Sequence, residues 1–468
     1  MSGPVPGTPS LLRAINDRAA LRLFLERGPL TRPELGALTG LSKPTASQLL
    51  ARLRRAGLVV LDGVREGLPG RTAEVYRINP AAAYAAALDV TSARIEARVA
   101  DLTGTVVGEY ALEPADGDLV GGLRAALAGA RPPAPPRHVV IGVQAAIDPT
   151  TGRLGYATAE DMPGWHLDDL VGVLSRGLGT PVSVENNVNL VALAERAHGA
   201  AAGAPDFVLL WAGAGIGAAI VLGGRLHRGA TGGAGEVGYM PAPGAPTARE
   251  SGPYADHGFQ ALSGGAAVLE TLRRHGVRGA SLREAIANAA AAPAPAPPGT
   301  SADAGGGSGA EGGGVAALRE VAAGLAVGLA AITSVMDPPL IVLTGAVPLA
   351  GGEPLRRLVE EELHALTIAR PRVRLSRVAG NAVLVGALDL ALATVRDEVL
   401  DATGATTATR PDGTPDKAPG TPPGTPPGTP PGTQPSRTPD RTPDRTPGKT
   451  PGRMSASPVF DSGVGVTE

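Results

Sequence analysis

The chain has 468 residues, of which 43% are hydrophobic and 3% aromatic; it has no cysteine and a net charge of −2. That length suggests two to four domains with cores of alanine, valine and leucine, and the missing cysteines exclude disulfides, thiolate metal sites and thiol catalysis. The charge is uneven: residues 1–80 hold twelve Arg and Lys against six Asp and Glu, so a basic amino-terminal segment precedes an acidic body, which points to nucleic acid at one end. Residues 1–10 are polar and turn-rich, with no secretory pattern, and are expected to be disordered. No uninterrupted apolar run reads as long enough to span a membrane; the longest candidate, residues 315–336, contains Arg319 and Glu320. A cytoplasmic location without membrane contact is the expectation.

Residues 11–80 read as one DNA-binding unit. Leu12, Ile15, Ala19 and Leu23 fall at helical spacing over residues 11–26, and Gly28-Pro29 stops that helix. Thr31 precedes Glu34 by three, a capping box that starts a short second helix ended by Gly40. Ser42 caps a third helix, with Pro44 in its first turn and Gly57 past its end. Leu49, Leu50 and Leu53 point to a core, which leaves Ser42, Lys43, Thr45, Ser47, Gln48 and Arg52 to face the major groove. Residues 58–61 and 74–78 then form a hairpin, a wing with Arg71 at its tip for the minor groove.

The body reads as alternating α/β. A strand is expected to start at residues 86–90 and to continue over 94–101, another at 138–143, and helices at 119–127 and 188–196. A strand at residues 182–184 delivers Glu185-Asn186-Asn187 to a helix start, a common ligand position in α/β folds. In residues 208–239 two apolar runs joined by Gly213-Ala214-Gly215 make a hairpin, and Gly223-Gly224 turns the chain again. The glycines that follow permit close backbone approach, with Glu236 the one charged residue among them. Residues 289–314 are mostly Ala, Pro, Gly and Ser and read as a disordered insertion. A small-residue helix at 315–336, a buried strand within 339–347 and a helix at 381–395 complete the core. The repeating Gly-Thr-Pro-Pro and Arg-Thr-Pro-Asp of residues 401–468 cannot pack and read as a disordered tail.

These stretches resemble the ROK family of sugar kinases and sugar-responsive repressors, over about residues 11–398. The resemblance implies a winged helix-turn-helix at 11–80 and a two-lobed actin-like, sugar-kinase-like domain at 85–398. Its kinases end the first strand with Asp-x-Gly-Gly-Thr; here it reads Asp89-Val90-Thr91-Ser92. Their Glu-Asn-Asp, in which the asparagine and aspartate bind sugar and the aspartate is the general base, is here Glu185-Asn186-Asn187. An amide hydrogen-bonds a hydroxyl but cannot take its proton, so no catalytic residue is expected. The family's glycine loop ends in glutamate, glycine and histidine; here it ends Glu236-Val237-Gly238-Tyr239, and the histidine and three cysteines of its zinc site are not rebuilt by His257. Carried over residue by residue, the sugar-binding set is Gly164, Asn186, Asn187, Glu236 and Tyr239, with no metal and no cofactor. The implied protein is a homodimeric or homotetrameric repressor of carbohydrate genes that binds operator DNA with paired half-sites under the control of a sugar effector. The alternatives are an ATP-dependent sugar kinase with an accessory DNA-binding domain, and a ligand-independent DNA-binding protein.

Overall fold

The computed structural model describes residues 9–66, 72–114, 118–157, 162–252, 256–291 and 312–405. The head comprises α1 (Pro9–Arg27), β1 (Leu30–Thr31), α2 (Arg32–Thr39), α3 (Lys43–Arg55), β2 (Val59–Glu66) and β3 (Thr72–Ile78), the strands forming one antiparallel sheet in the order β1-β3-β2. Its local signals act as expected. The Thr31 amide donates to Glu34 Oε2 at 2.7 Å while Thr31 Oγ1 accepts from the Glu34 amide at 3.4 Å, closing the capping box. Gly40 is left-handed at φ 70° and ends α2; Ser42 caps α3 through the Thr45 amide. Leu49, Leu50 and Leu53 are buried.

The first lobe contains β4 (Tyr84–Val90), β5 (Ile95–Asp101), β6 (Val106–Leu112), α4 (Leu119–Gly129), β7 (His138–Val143), β8 (Ala146–Ile147), β9 (Leu154–Gly155), α5 (Leu170–Leu178), β10 (Val182–Asn186) and α6 (Asn187–His198). The second contains β11 (Phe207–Ala212), β12 (Ile216–Leu222), β13 (Arg225–Leu226), α7 (Ala248–Ser251), α8 (Gly258–Ser263), α9 (Gly265–Arg274), α10 (Leu282–Ala291), α11 (Gly313–Met336), β14 (Leu340–Thr344), α12 (Ala346–Leu366) and β15 (Arg372–Leu375). Helix α13 (Ala382–Ala405) follows and returns to pack on β4, β7 and α6 of the first lobe.

The two lobes follow one path. In each, three antiparallel strands are joined by two more in parallel: β6-β5-β4-β7-β10 and β13-β12-β11-β14-β15. Strands β4, β7, β11 and β14 are almost wholly buried, which is why they are continuous apolar runs rather than alternating ones.

Four expected boundaries move. Pro9 and Ser10 belong to α1, so the order of the chain begins before residue 11. Ala289, Ala290 and Ala291 extend α10, with Ala289 buried, and Gly313 and Gly314 open α11; residues 292–311 of the expected insertion lie outside the described residues. Residues 401–405 extend α13, because the apolar spacing of Val395, Val399 and Leu400 carries the helix onto the head; residues 406–468 lie outside the described residues. Finally, α11, at 24 residues, is long and apolar enough to cross a membrane, contrary to the reading of the run alone. Its Ala317, Leu318, Val321, Leu325 and Leu329 pack in the second-lobe core, and Arg319 and Glu320 on its other side pair with Glu362, Arg274 and His275.

Candidate functional site

The cleft between the lobes begins at β10, which runs directly into α6. Asn186 is the cap of that helix: its Oδ1 accepts from the amides of Val188 at 2.8 Å and Asn189 at 3.2 Å, and its Nδ2 donates to the Ala145 carbonyl at 3.2 Å. Both lone pairs of the oxygen are used, so Asn186 keeps one N–H for a ligand. Asn187 lies one residue deeper and is buried. Its Nδ2 donates to Asp89 Oδ1 at 3.3 Å, and its own Oδ1 has no protein donor. Asn381, immediately before α13, donates through Nδ2 to Asp89 Oδ2 at 2.8 Å and to Glu96 Oε1 at 3.0 Å. Asp89 therefore sits between two amides at the end of β4. Burial pushes its carboxyl up to about 6, while the Asn381 and Asn187 hydrogen bonds act against that rise.

The turn after Asp89, which is the glycine phosphate turn in the kinases of the resembled family, is closed by its own atoms. The Thr91 amide and hydroxyl donate to the Arg94 carbonyl at 2.9 and 3.0 Å, and the Arg94 amide donates to Thr91 Oγ1 at 2.9 Å. No hydrogen bond donor of Thr91 remains for an anion.

The second lobe approaches this region through residues 229–239. A Cβ on Gly232 would lie 2.1 Å from the Ile147 carbonyl of β8, and one on Gly235 2.1 Å from the Ala218 carbonyl of β12. Those two glycines let the loop lie tightly across both lobes, and both have positive φ. Arg228 reaches the first lobe and pairs with the buried Glu185, Nη2 to Oε2 at 2.6 Å and Nε at 2.7 Å. Glu185 also accepts from Asn189 Nδ2 at 2.9 Å, so one carboxylate holds both the helix start and the loop. Glu236 is half-buried and no described side chain donates to it; burial pushes it up to about 7. Tyr239 stands between two rings, Tyr156 at 6.0 Å and His257 at 5.4 Å. The segment where the resembled family carries zinc is instead built on these tilted ring contacts, on buried Phe259 and on backbone bonds from Gly258 to Pro246 and from Phe259 to Met240. Among the described residues no group of three His, Cys, Asp or Glu could hold a metal. Gly164 lies in a separate exposed turn at φ 82° beside Leu119, and the Trp165 that follows is buried in the first-lobe core.

A solvent-open space of about 520 Å³ continues between the lobes, lined by Val191, Trp211, Thr344, Gly345, Ala382 and Val383 among others. On its second-lobe side the Gly213-Ala214-Gly215 turn is stitched to α8: Gln260 accepts from the Ile216 amide at 2.9 Å and donates to the Ala214 carbonyl at 3.1 Å.

In the head, Lys43 and Gln48 project from α3 into solvent with no protein partner among the described residues. Ser42 and Thr45 share a hydroxyl bond at 2.8 Å, and Ser47 donates to the Lys43 carbonyl at 2.9 Å while accepting from Arg32 at 3.3 Å. Arg32, from the start of α2, joins this face; nothing in its local sequence marks it. Arg52, expected among the DNA contacts, is corrected. Its guanidinium forks onto the buried Asp17 of α1, at 2.6 and 3.2 Å, and so ties α3 to α1. Arg71 lies outside the described residues.

With this geometry in view, comparison with known proteins is direct. The ROK family model matches residues 85–394, two thirds of the chain. The chain belongs to the ROK family. A MarR family model matches residues 19–70, the head. The xylose repressor of Bacillus spizizenii is 25% identical over 236 residues, covering 49% of this chain and 61% of the relative; that of Caldicellulosiruptor bescii is 28% identical over 242 residues, covering 50% and 60%. The chain thus spans about three fifths of the length of these xylose repressors. Among solved structures, a ROK family transcriptional regulator, homolog of the E. coli MLC protein, aligns at TM-score 0.63 and 18% identity over 84% of this chain and 99% of that one. The ROK hexokinase of Thermus thermophilus aligns at TM-score 0.54 and 24% identity over 67% and 99%. These two likenesses establish the fold: a winged helix followed by the two-lobed ROK domain.

Proposed function

We propose that this ROK protein is a DNA-binding transcriptional repressor of carbohydrate genes, controlled by a sugar or sugar derivative held between the lobes, and that it does not phosphorylate that sugar. The observation that carries the reading is Asn187 against Asp89. The position of the family's base holds an amide, and the neighbouring carboxylate is enclosed by that amide and Asn381. The amide cannot take a hydroxyl proton, and each oxygen of the carboxylate already accepts one hydrogen bond. The closed Thr91–Arg94 turn adds to this, since it offers a phosphate no Thr91 donor.

Sugar hydroxyls would donate to Glu236 and accept from the remaining Asn186 N–H, with Asn187 and Tyr239 completing the set. Lys43 and Gln48 are the side chains of α3 best placed for base edges, and Ser42, Thr45 and Ser47 for phosphates. Two heads, hence a homodimer or homotetramer, read the paired half-sites, and the protein works in the cytoplasm. The named function of the xylose repressor relatives supports this reading.

Two measurements test it. Binding of DNA fragments from upstream of its own and neighbouring genes, and thermal melting against monosaccharides with and without ATP, are expected to show one retained fragment and one sugar-specific rise in Tm, independent of ATP. ADP release with any sugar in a coupled assay would overturn the non-enzymatic reading, and failure to retain any fragment would overturn the regulator.

A further inference from the structure

Helix α13 begins at the cleft and ends on the head. At its start, Asn381 holds Asp89, which Asn187 also holds. Near its end, Asp397 and Asp401 both receive Arg18 of α1, at 3.4 and 2.6 Å. The residue before Arg18 is Asp17, which receives Arg52 of α3. Consecutive residues of α1 therefore face the body and the DNA-reading helix. Between the two ends α13 is closely packed on α6, β4 and β7. A Cβ on Gly386 would lie 1.8 Å from the Leu190 carbonyl of α6, so the two helices touch backbone to backbone. Beneath the ion pairs, one apolar cluster contains Ala20, Leu21 and Phe24 of α1 together with Val395, Val399 and Leu400 of α13. The span from Asn381 to Asp397 is roughly 24 Å of helix.

We propose that α13 couples the cleft to the DNA-reading helix, with Asn381 the positioning residue at the ligand end and Arg18 the positioning residue at the head end. This rests on the reading that the cleft takes an effector and the head binds DNA. A ligand that engages Asn187 competes for its hydrogen bond to Asp89. Asp89 then shifts its share toward Asn381, and the start of α13 moves with it. Because the helix is packed against α6 as a rod, its far end moves too, and Arg18 and Asp17 carry that displacement to α3. The Arg18 pairs are more than a third exposed, so they add little to stability; their use is directional.

The test is amide hydrogen exchange on the full chain, without ligand or DNA. Asn381→Ala is expected to speed exchange in α1 around residues 17–24 by roughly 3- to 10-fold, and Arg18→Ala to do the same at the start of α6, since coupling is reciprocal. The charge-reversed set Arg18→Glu, Asp397→Arg and Asp401→Arg is expected to restore wild-type exchange in α6. Changes confined to the mutated end in both variants overturn the proposal. If Asn381→Ala fails to fold, the Arg18 variants decide it alone. Because no effector or operator enters this experiment, its failure leaves the regulator reading standing. The failure of D-xylose, D-glucose or N-acetylglucosamine to raise Tm counts against that reading and not against the exchange result.

Discussion

In the first lobe the β4–β5 turn is closed by side chains: Thr91 satisfies Arg94, and Asp89 is enclosed by Asn187 and Asn381. In the second lobe the corresponding β11–β12 turn keeps its glycines, yet Gln260 holds its backbone and α9 lies against it through Gly265, whose Cβ would meet Ala214 Cα at 3.0 Å. The β14 turn keeps Gly345 because a Cβ there would lie 2.4 Å from the Ala212 carbonyl. The two halves share one chain path, but only the second has glycines at these turns. A retained glycine in such a fold is thus no evidence of a retained nucleotide. It is kept where strands and helices cross closely, whether or not a phosphate once lay there.

The comparison is sharpened most by Gly345→Ala. At φ 92° and against the Ala212 carbonyl, alanine is expected to cost roughly 2–4 kcal/mol in urea denaturation. A near-neutral result would mean that the second-lobe glycine is kept for a ligand instead. Next comes Asn187→Asp, which restores the family's carboxylate in the first lobe. It faces Asp89 with no donor between them, so a loss of roughly 1–3 kcal/mol is expected at pH 8. The loss is smaller at pH 5, below the value of about 6 to which Asp89 is pushed, where that group is neutral. Sugar-dependent ADP release by this variant would show that the rest of the kinase machinery survives. The smallest effect is expected for Glu236→Gln. Burial lifts Glu236 from its usual 4.5 to about 7, so the folded protein holds a proton that the unfolded chain has released. That contribution favours the fold at low pH and is lost as pH rises through 7. The glutamine variant should therefore be more stable than wild type at pH 8, by about 1 kcal/mol for a half-buried carboxyl that solvent still screens, and nearly equal to it at pH 5.

The head was legible from sequence because its signals are local: a capping box spans four residues, and a hairpin turn spans a few. The two-lobed body was legible through apolar runs and their glycine punctuation. The site was legible only where its residues are neighbours in sequence. Asn186 and Asn187 read alike on paper, but the first turns its oxygen back to cap α6 and the second turns inward to Asp89. Asn381 is 292 residues from Asp89, and Arg52 is 35 from Asp17; no local pattern announces either pair. The exposed face of an isolated α3 contains Arg52, and only the presence of α1 removes it. Helix ends moved for the same reason, since Ala289 and Leu400 gain their burial from partners distant in the chain.

The apolar cluster that joins Ala20, Leu21 and Phe24 to Leu392, Val395 and Val399 also joins Leu49 and Leu53 of α3 to Val140 and Leu190 of the first lobe. No interior boundary separates the head from the body. Grafting this head onto another body would cut through a hydrophobic interior, so a working chimera must carry α13 along with α1, and its junctions belong on either side of that helix pair rather than at the loop after β3.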